Sequence, residues 1–251
     1  MLRRLADQHP EAVAQLSLQY RMHRDICQLS NDIVYGGALK CADETVAQRE
    51  LVLPGYPENL VSRSNRVDSW LQEVVDPRHA VAFLDTDGNK SSPFRSLERK
   101  QSSKHGGRGG MVNNAEANLV CSLLQSLVAC GCNLSSIGVI VPFKSQLRLI
   151  ESKDQVGLWK SRGLELSTID SFQGRDKKVI ILSLVRSNEK GRVGRLLQDF
   201  RRINVAVTRA KCKLVLIGSS STLHKGSLVT QKIINRVKSL DRIFPVPVEN
   251  L

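Results

Sequence analysis

Apolar positions along this chain follow two alternating patterns. From Ala80 onward, short apolar runs are separated by amphipathic stretches. "AVAFLD", "IGVIVP", "ELSTID", "KVIILSLV" and "KLVLIG" read as strands, and most are apolar at consecutive positions. A strand buried on one face alternates, whereas one buried on both does not. The runs therefore predict a parallel sheet covered on both sides. Between them, "NNAEANLVCSLLQSLVACG" predicts a long helix stopped by Gly131, "KSQLRLIES" a shorter one and "LVTQKIINRVKSL" a last one. From Arg202 to Lys211 a further helix is expected. Its stripe of Ile203, Ala206, Val207 and Ala210 faces a core, with Arg202 and Arg209 together at one edge.

Upstream of Ala80 the rhythm differs. "HPEAVAQL" predicts a short helix with proline near its start. "HRDICQLSNDIVYGG" predicts a second, ended by Gly36 and Gly37. The expected organisation is a helical approach over 1–79, an α/β domain over 80–244 and a tail over 245–251. "RSLERKQSSKHGGRGG" interrupts the α/β rhythm, and its polar, basic, glycine-rich make-up predicts a disordered basic insert over 90–111. Loose contact with phosphates is the other use of such a stretch.

Composition narrows the class. The 251 residues, 41% hydrophobic, suffice for one sizeable domain, and only 4% are aromatic, so aliphatic side chains must build its core. A net charge of +13 points to a polyanionic partner, nucleic acid first. Cys27, Cys41, Cys121, Cys130, Cys132 and Cys212 form no C-x-x-C pair, and the histidines show no ligand spacing beside them. Buried free thiols in a reducing compartment fit better than zinc. "MLRRLADQHP" carries charges where a signal peptide needs an apolar run, and "VIILSLV" is too short to span a membrane. A nuclear protein is expected, with the cytosol as the alternative.

An α/β sheet with a basic surface suggests a phosphate binder, yet no G-x-x-x-x-G-K-[ST] loop occurs, and no G-x-G-x-x-G follows a strand into a helix. "DTDGNK" reads as an aspartate–glycine turn. Four polar stretches are not explained by packing. "QYRMH", Gln19 to His23, sets a tyrosine that can stack on a base beside an arginine that can hold a phosphate. "VPFKSQ", Val141 to Gln146, follows a strand, where parallel sheets place ligands, and offers Phe143 and Lys144. "STIDSFQGRDKK", Ser167 to Lys178, concentrates polar groups around Gly174 in a short connection. "VRSN" puts Arg186 and Asn188 at the exit of the most buried strand. Arg201 and Arg202 lie near a predicted helix N-terminus, where the dipole disfavours cations, so a bound anion is the better reason for them.

In this order, "QYRMH", "VPFKSQ", "TIDSFQGRDKKVIILSLVRSN" and "RRINVAVTRAK" resemble the motifs of the second RecA-like domain of superfamily 1B helicases of the Upf-like group. "YGGALKC", "FLDTD" and "LLQDFRRINVAVTRAKCKLVLIG" are similar to the branch of nuclease-helicases that process Okazaki fragments. The resemblance runs from about Leu18 to Gly218. It implies a RecA-like, P-loop NTPase-type sheet and the second motor domain of an ATP-dependent 5′–3′ DNA helicase of replication and repair.

The resemblance also assigns residues. Tyr20 would lie beside the base and Arg21 would reach the terminal phosphates. Gln173, Gly174 and Asp176 would face the nucleotide. Arg209 would be the arginine finger, supported by Arg202. Pro142, Phe143, Lys144, Thr168, Arg186 and Asn188 would track single-stranded DNA, with RNA as the alternative. ATP with Mg²⁺ is the expected cofactor, its metal ligands lying in a first RecA-like domain that this sequence lacks, as it lacks the nuclease carboxylates and the 4Fe-4S cysteines. That first domain and replication or repair proteins are the expected partners. Two readings stay open: half of an enzyme, inactive alone, or a stand-alone basic module that binds single-stranded nucleic acid.

Overall fold

A computed structural model describes residues 4, 8–14, 16–60, 69–88, 97–101 and 110–247. In chain order the strands are β1 (Leu18–Gln19), β2 (Lys40–Cys41), β3 (Val81–Asp85), β4 (Arg99–Gln101), β5 (Gly110–Val112), β6 (Ile137–Val141), β7 (Glu165–Thr168), β8 (Lys177–Ser183), β9 (Ala210–Gly218) and β10 (Ile243–Pro245). Six of them make one sheet in the order β10-β3-β9-β8-β6-β7, and every pairing in it is parallel. This is the α/β arrangement that the apolar runs predict, and the RecA-like one that the resemblance implies.

Both faces of the sheet are buried, and the strands show why their sequences do not alternate. Val179 and Ile181 of β8 point into one core, while Ile180 and Leu182 point into the other. The first core is closed by helices Ser69–Val75, Asn114–Ala129, Lys144–Glu151 and Val156–Ser161, through residues such as Trp70, Leu123, Ile150 and Trp159. The second is closed by helices Arg24–Ser30, Phe200–Val207 and Leu228–Ser239, through Ile26, Leu29, Ile203, Val207 and Ile233. Segments upstream of Ala80 thus contribute to both cores, Leu51 and Leu53 to the first and Ile26 and Ile33 to the second.

Three local expectations change. Among the described residues of "HPEAVAQL", Pro10–Ala12 form a 3₁₀ turn in which no residue is buried; a segment this short needs tertiary packing to become a helix. The helix that opens at Arg24 widens into a π turn over Asn31–Tyr35 before Gly36 ends it at φ 58°. The helix expected to reach Lys211 stops at Val207. Thr208 Oγ1 bonds back to Asn204 O at 2.7 Å, and Ala210 already begins β9. Arg209 therefore sits in the turn between helix and strand rather than on the helix with Arg202. Most of the 90–111 insert lies outside the described residues, and its described flanks, β4 and β5, pair as an antiparallel ribbon.

The connection from β7 to β8 links the two ends of the sheet. It leaves the carboxyl edge at Thr168, makes one 3₁₀ turn, Asp170–Phe172, and re-enters at the amino edge. Phe172 is fully buried where this segment crosses β6. A Cβ on Gly138 would meet Phe172 Cζ at 2.7 Å and Ile180 Cδ1 at 2.8 Å, so the crossing needs glycine there.

Candidate functional site

The first candidate site is a hollow of about 570 Å³ beside the starts of β8 and β9. The turn "QYRM" forms one wall. Gln19 Oε1 accepts from Arg21 N at 2.8 Å and Met22 N at 2.7 Å, which folds the segment tightly. His23 N bonds Lys211 O at 2.9 Å and ties that wall to β9. Tyr20 is 67% exposed, its ring free to cover a flat ligand.

Polar chemistry in the hollow centres on Asp176. Its carboxylate receives Lys211 Nζ at 2.6 Å on Oδ1 and Arg21 Nε at 3.3 Å on Oδ2. Burial pushes the Asp176 carboxyl up, but the Lys211 hydrogen bond and the Lys211, Arg21 and Arg209 charges outweigh it and hold it below its ordinary value. Arg209 is fixed through its own backbone neighbourhood: Nε to Val205 O at 3.0 Å, Nη1 to Arg175 O at 3.1 Å and Nη2 to Thr208 Oγ1 at 3.4 Å. Burial, then the nearby Arg21 charge, lower the Arg209 guanidinium against the opposing pull of Asp176. Arg21, Arg49, Arg209 and Lys211 all line the hollow, against one carboxylate. Such an excess of cations in a concave site is ready for a polyphosphate.

Of the residues that the resemblance assigns to the nucleotide, Tyr20, Arg21, Asp176 and Arg209 line this hollow. Arg202 does not; it turns away to Asp170, with Nε 3.1 Å from Oδ1. Gln173 and Gly174 are exposed on the crossing segment, and neither lines the hollow. Two lining cations were missed. Lys211 stands in "TRAK", where its place in the motif was a signal. Arg49, whose Nη1 bonds Arg21 O at 2.8 Å, had none.

The second candidate site lies at the opposite, carboxyl edge of the sheet. Val141 pairs with Thr168 in register, so the segments leaving β6 and β7 start side by side. Pro142 is buried, Phe143 half-buried and Lys144 exposed at the head of helix Lys144–Glu151. Thr168 is buried, its hydroxyl bonding Ser171 Oγ at 3.1 Å. Beyond β8, Val185 adopts φ 70°, a costly conformation for a β-branched residue. Glu116 holds it there. Its Oε2 accepts from Val185 N at 2.8 Å and Ser183 Oγ at 2.7 Å, while Asn113 Nδ2 reaches Val185 O at 3.3 Å. Burial pushes the Glu116 carboxyl up to about 8, against the hydrogen bonds it accepts. This bend sends Arg186 and Asn188 toward Glu98, which both contact. Glu116 was missed because one carboxylate in an amphipathic helix reads as a surface residue.

Among the described residues, no group of three or more His, Cys, Asp or Glu could hold a metal ion, and Asp176 is already committed to two cations. The six cysteines are free thiols. No helix among the described residues is long and apolar enough to cross a membrane.

The family described as "AAA domain" matches residues 1–221. The chain is 38% identical over 244 residues to DNA replication ATP-dependent helicase/nuclease DNA2 of Xenopus tropicalis, covering 96% of this chain and 22% of that protein. It is 37% identical to the protein of that name in Homo sapiens, with 96% and 22% covered, and 38% identical to that of Saccharomyces cerevisiae, with 89% and 14% covered. The chain therefore spans about a fifth or less of the length of these relatives.

Proposed function

Because the chain belongs to this AAA domain family, we propose that it is the second motor domain of an ATP-dependent 5′–3′ DNA helicase of the nuclease-helicase kind, working in replication and repair and hence in the nucleus. The observation that carries this reading is the hollow in which Tyr20, Arg21, Asp176, Arg209 and Lys211 converge from segments far apart in sequence. It has a face for a base and cations for phosphates, but no phosphate loop. It is one wall of a nucleotide site, and a first RecA-like domain is the partner that would supply the other.

In this reading Tyr20 covers the base and Arg21 reaches the terminal phosphates. Arg209 stabilises the charge that spreads over the transferred phosphoryl; such fingers contribute on the order of 10³–10⁵ in rate. Its hydrogen bonds to fixed backbone atoms favour that role, because a pre-placed guanidinium need not reorganise during reaction. Mg²⁺ would neutralise phosphate charge, and its ligands belong to the partner domain. Arg202, Gln173 and Gly174 stay outside the hollow, Arg202 holding the crossing segment through Asp170.

Pro142, Phe143, Lys144 and Thr168 form the strand-binding face, with Arg186 and Asn188 at its border. The segment from Thr168 to Asp176 joins that face to the hollow, so closure on ATP can shift the strand contacts.

The test joins this chain to the first motor domain of a DNA2 relative. ATP turnover stimulated by single-stranded DNA is expected in the joined protein. A joined protein that folds and binds DNA but shows no turnover would overturn the reading.

A further inference from the structure

The β4–β5 ribbon is attached to the strand-binding face at two points. On one side Glu98 is gripped by the loop after β8. Its carboxylate receives Arg186 Nε at 2.6 Å, Arg186 Nη2 at 3.1 Å, Ser187 N at 3.0 Å and Asn188 Nδ2 at 3.2 Å. The Arg186 and Glu98 side chains are only 14% and 12% exposed. On the other side Ser145 Oγ donates to Met111 O at 2.7 Å, and a Cβ on Gly110 would run into the Ser145 side chain. Gln146 then closes a pair of bonds with the Asn113 backbone, at 2.8 and 3.0 Å.

These contacts fix where the ribbon's own charges go. Lys100 lies opposite Met111 in the ladder, and Arg99 opposite Val112. Met111 is bonded to the residue that follows Lys144, so Lys100 stands one strand spacing, roughly 5 Å, from a residue held against the head of that helix. Arg99 and Lys100 are both exposed. Arg186, by contrast, is enclosed and satisfied by a carboxylate. A buried bidentate pair is costly to break, so this arginine is poorly placed to take up a phosphate.

We propose that the β4–β5 ribbon is an added nucleic-acid-contacting element: Glu98 anchors it through Arg186, and Arg99 and Lys100 bind the phosphodiester backbone of a single strand alongside Lys144. Arg186, Asn188 and Glu98 are then positioning residues. The inference rests on the strand-binding face proposed above, and its test separates the two.

The test measures binding of an oligothymidylate to the full chain by fluorescence anisotropy across a salt series. Each phosphate contact on a single strand contributes about 0.7 to the slope of log affinity against log salt. R99A/K100A removes two exposed cations and should flatten the slope by about 1.4 with the unfolding midpoint unchanged. E98Q should also weaken binding and flatten the slope, although it removes a negative charge from the face. A merely structural Glu98 would move the unfolding midpoint and leave the slope alone, which overturns the anchoring role. Tighter binding by E98Q would do the same, since Glu98 would then be competing with phosphate. K144A is the control. If K144A weakens binding and R99A/K100A does not, the ribbon contact is wrong and the face stands. If neither variant changes binding, the face itself falls, and the ribbon with it.

Discussion

Nε of Arg21 stands 3.3 Å from Oδ2 of Asp176, while its Nη1 donates to Thr208 O at 3.2 Å, in the turn that carries Arg209. The pair joins the "QYRMH" segment to the end of the crossing segment and sets one carboxylate near the charges of both arginines.

Asp176→Asn should therefore disturb the site more than the fold. Both partners are about a third exposed, so solvent screens the pair and the stability loss should stay below about 1 kcal/mol. The Asp176 carboxyl is lowered in the folded state. Its contribution is thus present above its ordinary value near 3.8 and is lost as pH falls through the lowered one. A urea midpoint that barely moves at pH 7, with weaker nucleotide binding in the two-domain protein, is the expected result.

Arg209→Ala should lower ATP turnover in the joined two-domain protein by on the order of 10³ or more, with DNA affinity kept. The chain alone should show no ATP turnover stimulated by single-stranded DNA. Steady-state phosphate release checks both, and unchanged turnover in the variant would remove the finger role.

Gly138→Ala places a methyl group against Phe172 and Ile180. Overpacking of this kind costs about 1–3 kcal/mol. Because Phe172 anchors the crossing segment between the two sites, the variant should also weaken coupling between DNA binding and ATP turnover. Denaturant midpoints give the first effect, and the DNA concentration for half-maximal stimulation gives the second.

Glu116→Gln should change the pH dependence of stability. In the folded chain this carboxyl is raised from 4.5 to about 8, so between those values the folded state holds a proton that the unfolded state has released. Stability of the natural chain should therefore fall as pH rises from 4.5 to 8. Glutamine mimics the protonated form and keeps an acceptor for Val185 N. The variant's midpoint should decline less over that range, and parallel curves would show that Glu116 does not titrate there.

The apolar runs, with no alternation, specified a parallel sheet covered on both faces, and the motifs singled out Tyr20, Arg21, Asp176 and Arg209, which line one hollow. Both signals are local facts, written in spacing and residue type. Three things were decided only by tertiary structure. The crossover from β7 past β6 into β8 carries the chain from the carboxyl edge, beside Phe143 and Lys144, to the amino edge, beside the cation-lined hollow, and no local period records which strands a connection passes. The helix before Arg209 ended early because Thr208 caps it and Ala210 is claimed by β9, whose pairing outweighs the helical stripe. The destination of a charge was settled by what packs around it: Arg186, expected to track a strand, is enclosed by Glu98, and Glu116, which no motif singled out, is buried where it accepts from Val185 N and Ser183 Oγ. Burial and pairing between distant residues set those roles, and a sequence states them only once the chain has folded.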